Sequence, residues 1–409
     1  MSTQYDIAVV GSGLVGSSLA IALSSLSSDY RIAIIDSQPL EAINLKADHL
    51  DGRSIALALS SKKMLSALGI WKTLHADATA IKNIHISDQG RFGVTRLDSK
   101  RYEVESFGYL VPADHLIHAL NDQVDNLENV TRLQPFKVSD IQNQPDRIVL
   151  KQENGESIQA KLLLAADGAN SSIRNALNIE VEEKQYHQSA VVGSVECEGE
   201  HNNTAYERFT GDGPLALLPK KDQFCGFIWM NPTEVAENNL HLSDSDFMNK
   251  LQKAFGYRLG HFKNVSKRFS YPLTLVMSKQ RVQQNVVLIG NAAQTLHPIA
   301  GQGFNLALRD IAELTELLSE VEINSEDGDL DSKLAEYASK RQPDIEKTIR
   351  FTDRLNFLFN ADYPVLAQSR GLGLAMLGAI PILEERIVKQ NLGEAGSQAN
   401  LLQGRLVNS

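Results

Sequence analysis

Cysteine is scarce: Cys197 and Cys225 are the only two in 409 residues, far apart in the chain. That leaves no disulfide framework, no zinc-ligand spacing and no redox-active dithiol, so no metal site is expected. Positive charge is also short. Forty Lys and Arg stand against 50 Asp and Glu, a net charge of −10, which argues against nucleic acid as a partner, because that affinity is built on clustered basic residues. Long hydrophobic runs are missing too. The longest, Gly371 to Leu383, is broken by Pro381 and falls short of the roughly 20 apolar residues that span a bilayer. Met1 to Asp6 carries no basic segment of the kind that opens a secretory signal. A cytoplasmic location is therefore expected.

What is present is enough apolar material, 43% of the chain, for two globular domains. Tyr5 to Val10 is a β-branched apolar run, Leu14 to Leu26 a helical pattern, and Arg31 to Ile35 a second strand ending in Asp36. Together they predict a βαβ unit. Two more buried-type strands, Lys161 to Ala166 and Asn285 to Ile289, come much later, so the nucleotide-binding part is expected to be discontinuous. Between them Ser189 to Glu198, Thr204 to Thr210, Leu215 to Leu218, Phe224 to Met230 and Arg268 to Val276 read as antiparallel strands, with Lys220-Lys221-Asp222 as a hairpin turn. From about residue 341 the pattern is helical, with Phe351, Leu355, Leu358 and Phe359 at helical spacing.

The turn of the βαβ unit is Gly11-Ser12-Gly13-Leu14-Val15-Gly16, and Asp36 lies 20 residues beyond it. In such a turn the first glycine permits the bend, the second lets backbone approach a pyrophosphate, and the third packs helix on strand. The acid suits a ribose diol. This pattern predicts a dinucleotide and leaves NAD and FAD undistinguished. Two further motifs follow strands: Asp167-Gly168 ahead of Ser171, Ser172 and Arg174, and Gly290-Asn291-Ala292-Ala293 ahead of His297-Pro298-Ile299-Ala300-Gly301-Gln302-Gly303-Phe304-Asn305. Gly301 and Gly303 would open a helix toward an anion, such as the N1/C2=O side of a reduced flavin.

With three motifs in this order, the chain resembles the FAD-dependent aromatic hydroxylases of the p-hydroxybenzoate hydroxylase fold. Asp51-Gly52-Arg53-Ser54, Glu207-Arg208-Phe209-Thr210, Gly213 to Pro219, Ala254 to Gly260 and Gly290 to Pro298 narrow the likeness. They make the chain similar to the ubiquinone-biosynthesis hydroxylases, most of all those acting on a 2-polyprenyl-6-methoxyphenol. Where most relatives have Gly-Asp, this chain has Gly290-Asn291, a departure shared with that subgroup. Asn keeps a hydrogen bond to a hydroxyl and drops a charge.

The resemblance implies an α/β fold: a Rossmann-like FAD-binding domain (1–75, 104–185 and 272–340), an inserted antiparallel β-sheet substrate domain (76–103 and 186–271), and a helical C-terminal region (341–409). Carried over position by position, Gly11, Ser12, Gly13, Leu14, Val15, Gly16 and Asp36 would hold the ADP half of FAD, and Arg53 with Ser54 would reach the pyrophosphate or ribityl region beside Asp167 and Gly168. Asn291 would touch the ribityl chain, Pro298 and Gly301, Gln302, Gly303, Phe304 and Asn305 would frame the isoalloxazine, and a strand at Lys137-Val138 would reach the adenine. The wider family places an Arg near Tyr109 to His115, where this chain offers only His115.

No second glycine motif serves a nicotinamide cofactor, which fits enzymes in which NAD(P)H is a transient reductant. The implied reaction inserts one oxygen of O2 into a polyprenylated phenol by way of a C4a-hydroperoxide. The protein must then keep the flavin dry and place the ring. Phe209, Leu215, Leu217, Phe227 and Trp229 are candidates for an apolar roof, and equally for an ordinary sheet core. His297 and Pro298 are the candidates for steering the phenol, His297 because its charge changes near neutral pH. The Gly371 to Leu383 run has two readings: packing on the FAD domain, or contact with the inner face of the membrane or another ubiquinone-biosynthesis protein. Hydroxylation at another ring position or of a soluble phenol, and a non-hydroxylating FAD dehydrogenase, are the competing readings.

Overall fold

The computed structural model describes residues 3–40, 53–91, 93–295, 302–323 and 329–360, with 388–389, 392–393, 396 and 399–407 near the C-terminus. Asp51-Gly52, His297, Pro298, Gly301 and the Gly371 to Leu383 run lie outside the described residues.

The first sheet is built on five parallel strands in the order Val286–Leu288, Ser157–Ala165, Thr3–Val10, Ile32–Ile35, Val130–Leu133. Its central strands are apolar at consecutive positions because both faces are covered. Ile7, Val9, Ile32, Ile34, Leu162 and Leu164 face one core with the helices Leu14–Ser24, Ala113–Asp125 and Gln302–Leu318, whereas Ala8, Val10, Ala33, Ile35, Leu163 and Ala165 face a second. Each fully buried Ile or Leu contributes about 1.5–3 kcal/mol.

Among the described residues the second sheet has nine strands, and antiparallel pairing predominates. Its long members are Val181–Cys197, Phe224–Pro232 and Phe269–Ser278, and the pairing of the first with the last shifts register between Gln185 and Ser189. Asn83–Asp88 joins it in parallel beside Thr204–Thr210, and Gln294–Thr295 pairs with its edge immediately after the Gly290-Asn291 loop. A small sheet of Ser54–Ala58, Gly108–Pro112 and Thr79–Ile81 completes the core. Cys197 and Cys225, distant in sequence, sit buried and free on neighbouring strands.

Period-two alternation gives the second sheet two different faces. Tyr206, Leu215, Leu217, Phe227 and Trp229 pack with Phe247, Leu251 and Phe255 of the helix Asp244–Phe255. The opposite face carries Ala205, Ile84 and Leu218, which pack with Leu59 and Tyr109 of the first half of the chain. Four of the five roof candidates therefore point away from the nucleotide side, and only Phe209, in register with Asp88 and Pro214, shares the inner face. Two further expectations are corrected. Lys137 and Val138 are extended loop, not strand, because the segment leaves the sheet after Leu133 to hydrogen-bond Phe136 N to Asp36 O at 2.7 Å. The C-terminal helix begins at Leu330, before residue 341, and runs through Pro343 to Asn360.

Candidate functional site

The three motifs converge on one edge of the parallel sheet. Gly11, Asp36, Ala166 and Ile289 each follow the carboxyl end of a strand, and backbone bonds lace them: Gly11 N to Ile35 O at 2.7 Å, Ala166 N to Val10 O at 2.7 Å, Ile289 N to Ala165 O at 2.9 Å. Open α/β sheets bind ligands at this edge, where neighbouring crossovers diverge.

The glycines of the turn divide by what surrounds them. A Cβ on Gly16 would lie 1.7 Å from Gly11 O, and Gly11, at φ +102°, has Ala166 O at 2.4 Å from its own Cβ position. These two fix the backbone crossing of strand, helix and neighbouring loop. Gly13, Gly168 and Gly303 instead face open space, with nothing within 4 Å of a Cβ. The helix Leu14–Ser24 starts at Gly13 without a side-chain cap or an acid in its first turn, leaving its first N–H groups and positive dipole end for an anion.

Asp36 is held by its own turn: Oδ2 accepts from Ser12 N at 2.8 Å and Ser12 Oγ at 3.0 Å, and Oδ1 accepts from Gln38 N at 3.0 Å. Gln134 Nε2 donates to Ser12 Oγ, extending the chain of bonds one strand further. Asp167 Oδ2 accepts from Ser172 Oγ and Ile173 N at 3.1 and 3.2 Å. Its Oδ1 is buried with no hydrogen-bond partner among the described residues. Asn291 stands exposed, and Gly290, at φ +61°, lies against Val15 with 3.1 Å between its Cβ position and the Val15 methyls. Arg53 is exposed and its carbonyl accepts from Ala113 N at 2.8 Å; Ser54 opens the strand that follows, and Val138 lies in the loop after Leu133.

Asn305 and His115 both have partners within the chain. Asn305 spends its amide on the first half of the chain: Oδ1 accepts from Ala58 N at 2.8 Å and Ser61 Oγ at 2.7 Å, and Nδ2 donates to Ala56 O at 2.8 Å. It ties the start of Gln302–Leu318, where Gln302, Gly303 and Phe304 also sit, to the strand Ser54–Ala58. His115, at the place where the wider family carries an Arg, pairs through Nδ1 with Asp77 Oδ2 at 2.8 Å.

Sequence reasoning named Arg174 within its motif but missed what it bridges, and missed a second support entirely. Arg174, buried, donates to Ala292 O at 3.1 Å and Ala169 O at 2.8 Å, bolting the Asp167-Gly168 loop to the Gly290-Asn291 loop. Behind them Asp310 is wholly buried, with Arg341 Nε at 2.6 Å, Gln294 Nε2 at 3.0 Å and Arg281 Nη1 at 3.6 Å. Arg341 and Arg309 also hold Asp344, at 2.7 and 2.9 Å. Burial pushes the Asp310 carboxyl up, but the guanidiniums of Arg341 and Arg281 and the hydrogen bonds from Gln294 and Arg341 outweigh it and hold the carboxyl below its ordinary range. No sequence signal marks these partners: apart from Arg341 and Asp344, which share one helix turn, they lie 16 to 35 residues apart.

The edge fits an elongated ligand with a pyrophosphate: open Gly13 and Gly168, an uncapped helix start, an orphaned Asp167 oxygen and an exposed Asn291 lie along it. Among the described residues no group of three or more His, Cys, Asp or Glu is placed to hold a metal ion, and no helix is long and apolar enough to cross a membrane.

Comparison with known proteins agrees. Residues 4–352 match the model of the FAD binding domain family. Ubiquinone hydroxylase UbiL of Rhodospirillum rubrum is 32% identical over 95% of this chain and 89% of its own length. The 3-demethoxyubiquinol 3-hydroxylase of Escherichia coli is 29% identical over 95% and 98%, and the human mitochondrial ubiquinone biosynthesis monooxygenase COQ6 27% identical over 94% and 92%. Among solved structures, p-nitrophenol 4-monooxygenase from Pseudomonas putida superposes with a TM-score of 0.78 at 18% identity, covering 98% of this chain and all of that one.

Proposed function

The chain belongs to the FAD binding domain family, among its ubiquinone-biosynthesis hydroxylases, and from that premise we propose that it hydroxylates the ring of a polyprenylated phenol of the 2-polyprenyl-6-methoxyphenol type. It is an FAD-dependent monooxygenase. NAD(P)H serves as transient reductant and O2 as oxidant, so that ring C–H, O2, NAD(P)H and a proton give ring C–OH, water and NAD(P)+.

In this reading Gly11 to Gly16 and the helix start at Leu14 hold the pyrophosphate, with Asp36 sharing its carboxylate between Ser12 and the adenosine ribose. Arg53, Ser54, Asp167, Gly168 and Asn291 serve the ribityl side, and Gln302 to Asn305 serve the ring end, Asn305 through the strand it anchors. Bound there, the flavin supplies the two-electron activation of O2 and the transfer of one oxygen to the ring. The protein's share is placement and exclusion of water.

The observation that carries the substrate class is on the inner face of the second sheet. Pairing registers set Ile86, Glu207, Ala216, Ile228, Val192 and Phe269 in one cross-strand row. The row is apolar but for Glu207, and it ends at Phe269, 42% exposed, beside Tyr271, also 42% exposed. Five strand spacings of about 4.8 Å make a track of roughly 24 Å, suited to a long hydrocarbon tail leading from a ring. A membrane or partner protein delivering such a lipid would meet this open end.

The test compares substrate-stimulated NAD(P)H oxidation with a prenylated methoxyphenol and with the same phenol lacking its tail. The account expects tight coupling to product with the first and at least tenfold lower kcat/KM with the second. Equal kcat/KM for both would assign a soluble phenol instead.

A further inference from the structure

The inner row contains one ionisable side chain. Glu207 has Ile86 in register on one flank and Ala216 on the other, followed by Ile228. It forms no hydrogen bond or ion pair with any described residue. Its neighbours in sequence are engaged on the opposite face: Tyr206 packs edge-on against Phe255, and Arg208 donates to Ala254 O at 2.9 Å and Ser87 Oγ at 3.2 Å. Among the ionisable groups of the inner face, Asp88 is paired with Arg91 at 3.1 Å, Lys220 Nζ donates to Ser194 Oγ at 3.0 Å, and Lys267 sits over the Phe269 ring at the outer end. None of these charges bears on Glu207, whose carboxyl is pushed up to about 7 by burial alone.

A carboxyl kept on an apolar face without a partner costs stability, and such groups concentrate where a ligand completes them. The ligand of the proposed function has a matching group. An electron-rich phenol carries one hydroxyl, a donor in want of an acceptor in a dry site.

We propose that Glu207 accepts the hydrogen bond of the substrate's phenolic hydroxyl and takes its proton as the ring is hydroxylated. The inference rests on the phenol reading above. As the O–O bond of the activated oxygen breaks and one oxygen bonds to the ring carbon, the phenolic O–H bond breaks, its electron pair moves into the ring, the proton passes to a Glu207 carboxylate oxygen, and the second oxygen leaves as water. The ring carbon then releases its own hydrogen to water as a proton. The pair returns to the phenolic oxygen, which recovers the proton from Glu207. The carboxylate is regenerated, and no oxidant or reductant beyond O2 and NAD(P)H is needed. General base assistance of this kind is worth about 10²- to 10⁴-fold.

The decisive experiment measures the dissociation constant of a prenylated methoxyphenol for the oxidised, FAD-loaded protein between pH 5.5 and 9, read from the flavin absorbance. The phenol stays neutral across most of that range. Wild type should bind about tenfold tighter above pH 7 than below pH 6, as the carboxylate forms, and Glu207→Gln should be flat. Glu207→Gln should also lose at least 10²-fold in kcat with unchanged flavin content. A flat wild-type profile, a pH-dependent Glu207→Gln, or full turnover by that variant would each overturn the proposal. The wild-type profile needs no variant to fold, and Glu207→Leu, which removes the unpartnered carboxyl, should unfold at a higher temperature than wild type above pH 7. If wild type hydroxylates the phenol while Glu207→Gln matches it, only the role of Glu207 fails; if wild type forms no hydroxylated product, the phenol reading fails with it.

Discussion

Gly13 and Gly16 are three residues apart, yet alanine at each should fail for opposite reasons. A methyl on Gly16 would sit 1.7 Å from Gly11 O, against a floor of about 3.0 Å for real Cβ contacts, so the helix must move off the turn by more than an ångström. Such overpacking costs about 1–3 kcal/mol or more, and the apoprotein bears it. A methyl on Gly13 meets nothing within 4 Å, and Gly13 already has ordinary backbone angles, φ −70° and ψ −168°. At a helix N-cap that exchange costs only about 0.5–1 kcal/mol. The open space is where a pyrophosphate would approach the backbone. Displacing it forfeits a charge-assisted hydrogen bond worth about 1.5–3 kcal/mol, which is about 10- to 100-fold in affinity. The assay is unfolding of apoprotein and of protein with FAD at roughly 100 times the wild-type dissociation constant. FAD then stabilises wild type by about 2.7 kcal/mol, and a 100-fold weaker site by only about 0.4 kcal/mol. Gly13→Ala should keep most of the apo stability and lose most of the FAD increment, whereas Gly16→Ala should lose apo stability itself. FAD binding undiminished in Gly13→Ala, or a Gly16→Ala apoprotein as stable as wild type, would refute the division of labour.

Asp310→Ala should destabilise the protein by about 3–5 kcal/mol in chemical unfolding, because it removes the carboxylate of buried Arg281 and leaves buried Arg341 with Asp344 alone. The depressed carboxyl of Asp310 also stabilises the fold at pH values above its unfolded value, a contribution lost as pH falls through the folded value; acid titration of unfolding should show that loss in wild type and not in Asp310→Asn. Glu207 has the opposite sign. Held protonated up to about 7 in the fold, it favours folding below the unfolded carboxyl range and disfavours it as pH rises to 7. Unscreened, that shift amounts to about 3 kcal/mol; residual exposure reduces it, so Glu207→Leu should gain about 1–3 kcal/mol above pH 7 and much less at pH 4 in unfolding titrations. Asn305→Ala should free the strand Ser54–Ala58 from the helix Gln302–Leu318, read as faster amide exchange at Ala58 together with weaker FAD retention.

Backbone-driven features were legible in the sequence. Gly11 and Gly16 are glycines because neighbouring backbone excludes a Cβ, and the apolar runs around Ile7 and Ile34 reveal strands buried on both faces. Features depending on which face a residue takes were not. Leu215, Leu217, Phe227 and Trp229 look like a roof until pairing registers place them under the helix Asp244–Phe255. The same alternation hid Glu207, whose isolation is set by Ile86 and Ala216 on separate strands. The partners that hold Asn305 and His115 in the fold, Ala58 and Asp77, are distant in sequence and leave no local signal.

The central claim is oxygen insertion into a prenylated phenol at this flavin. Its most direct measurement is mass spectrometry of the product formed by purified, FAD-loaded protein with NAD(P)H, a prenylated methoxyphenol and isotopically labelled O2. The account predicts one labelled oxygen on the ring per NAD(P)H consumed; consumption of NAD(P)H that yields hydrogen peroxide and no labelled ring product would contradict it.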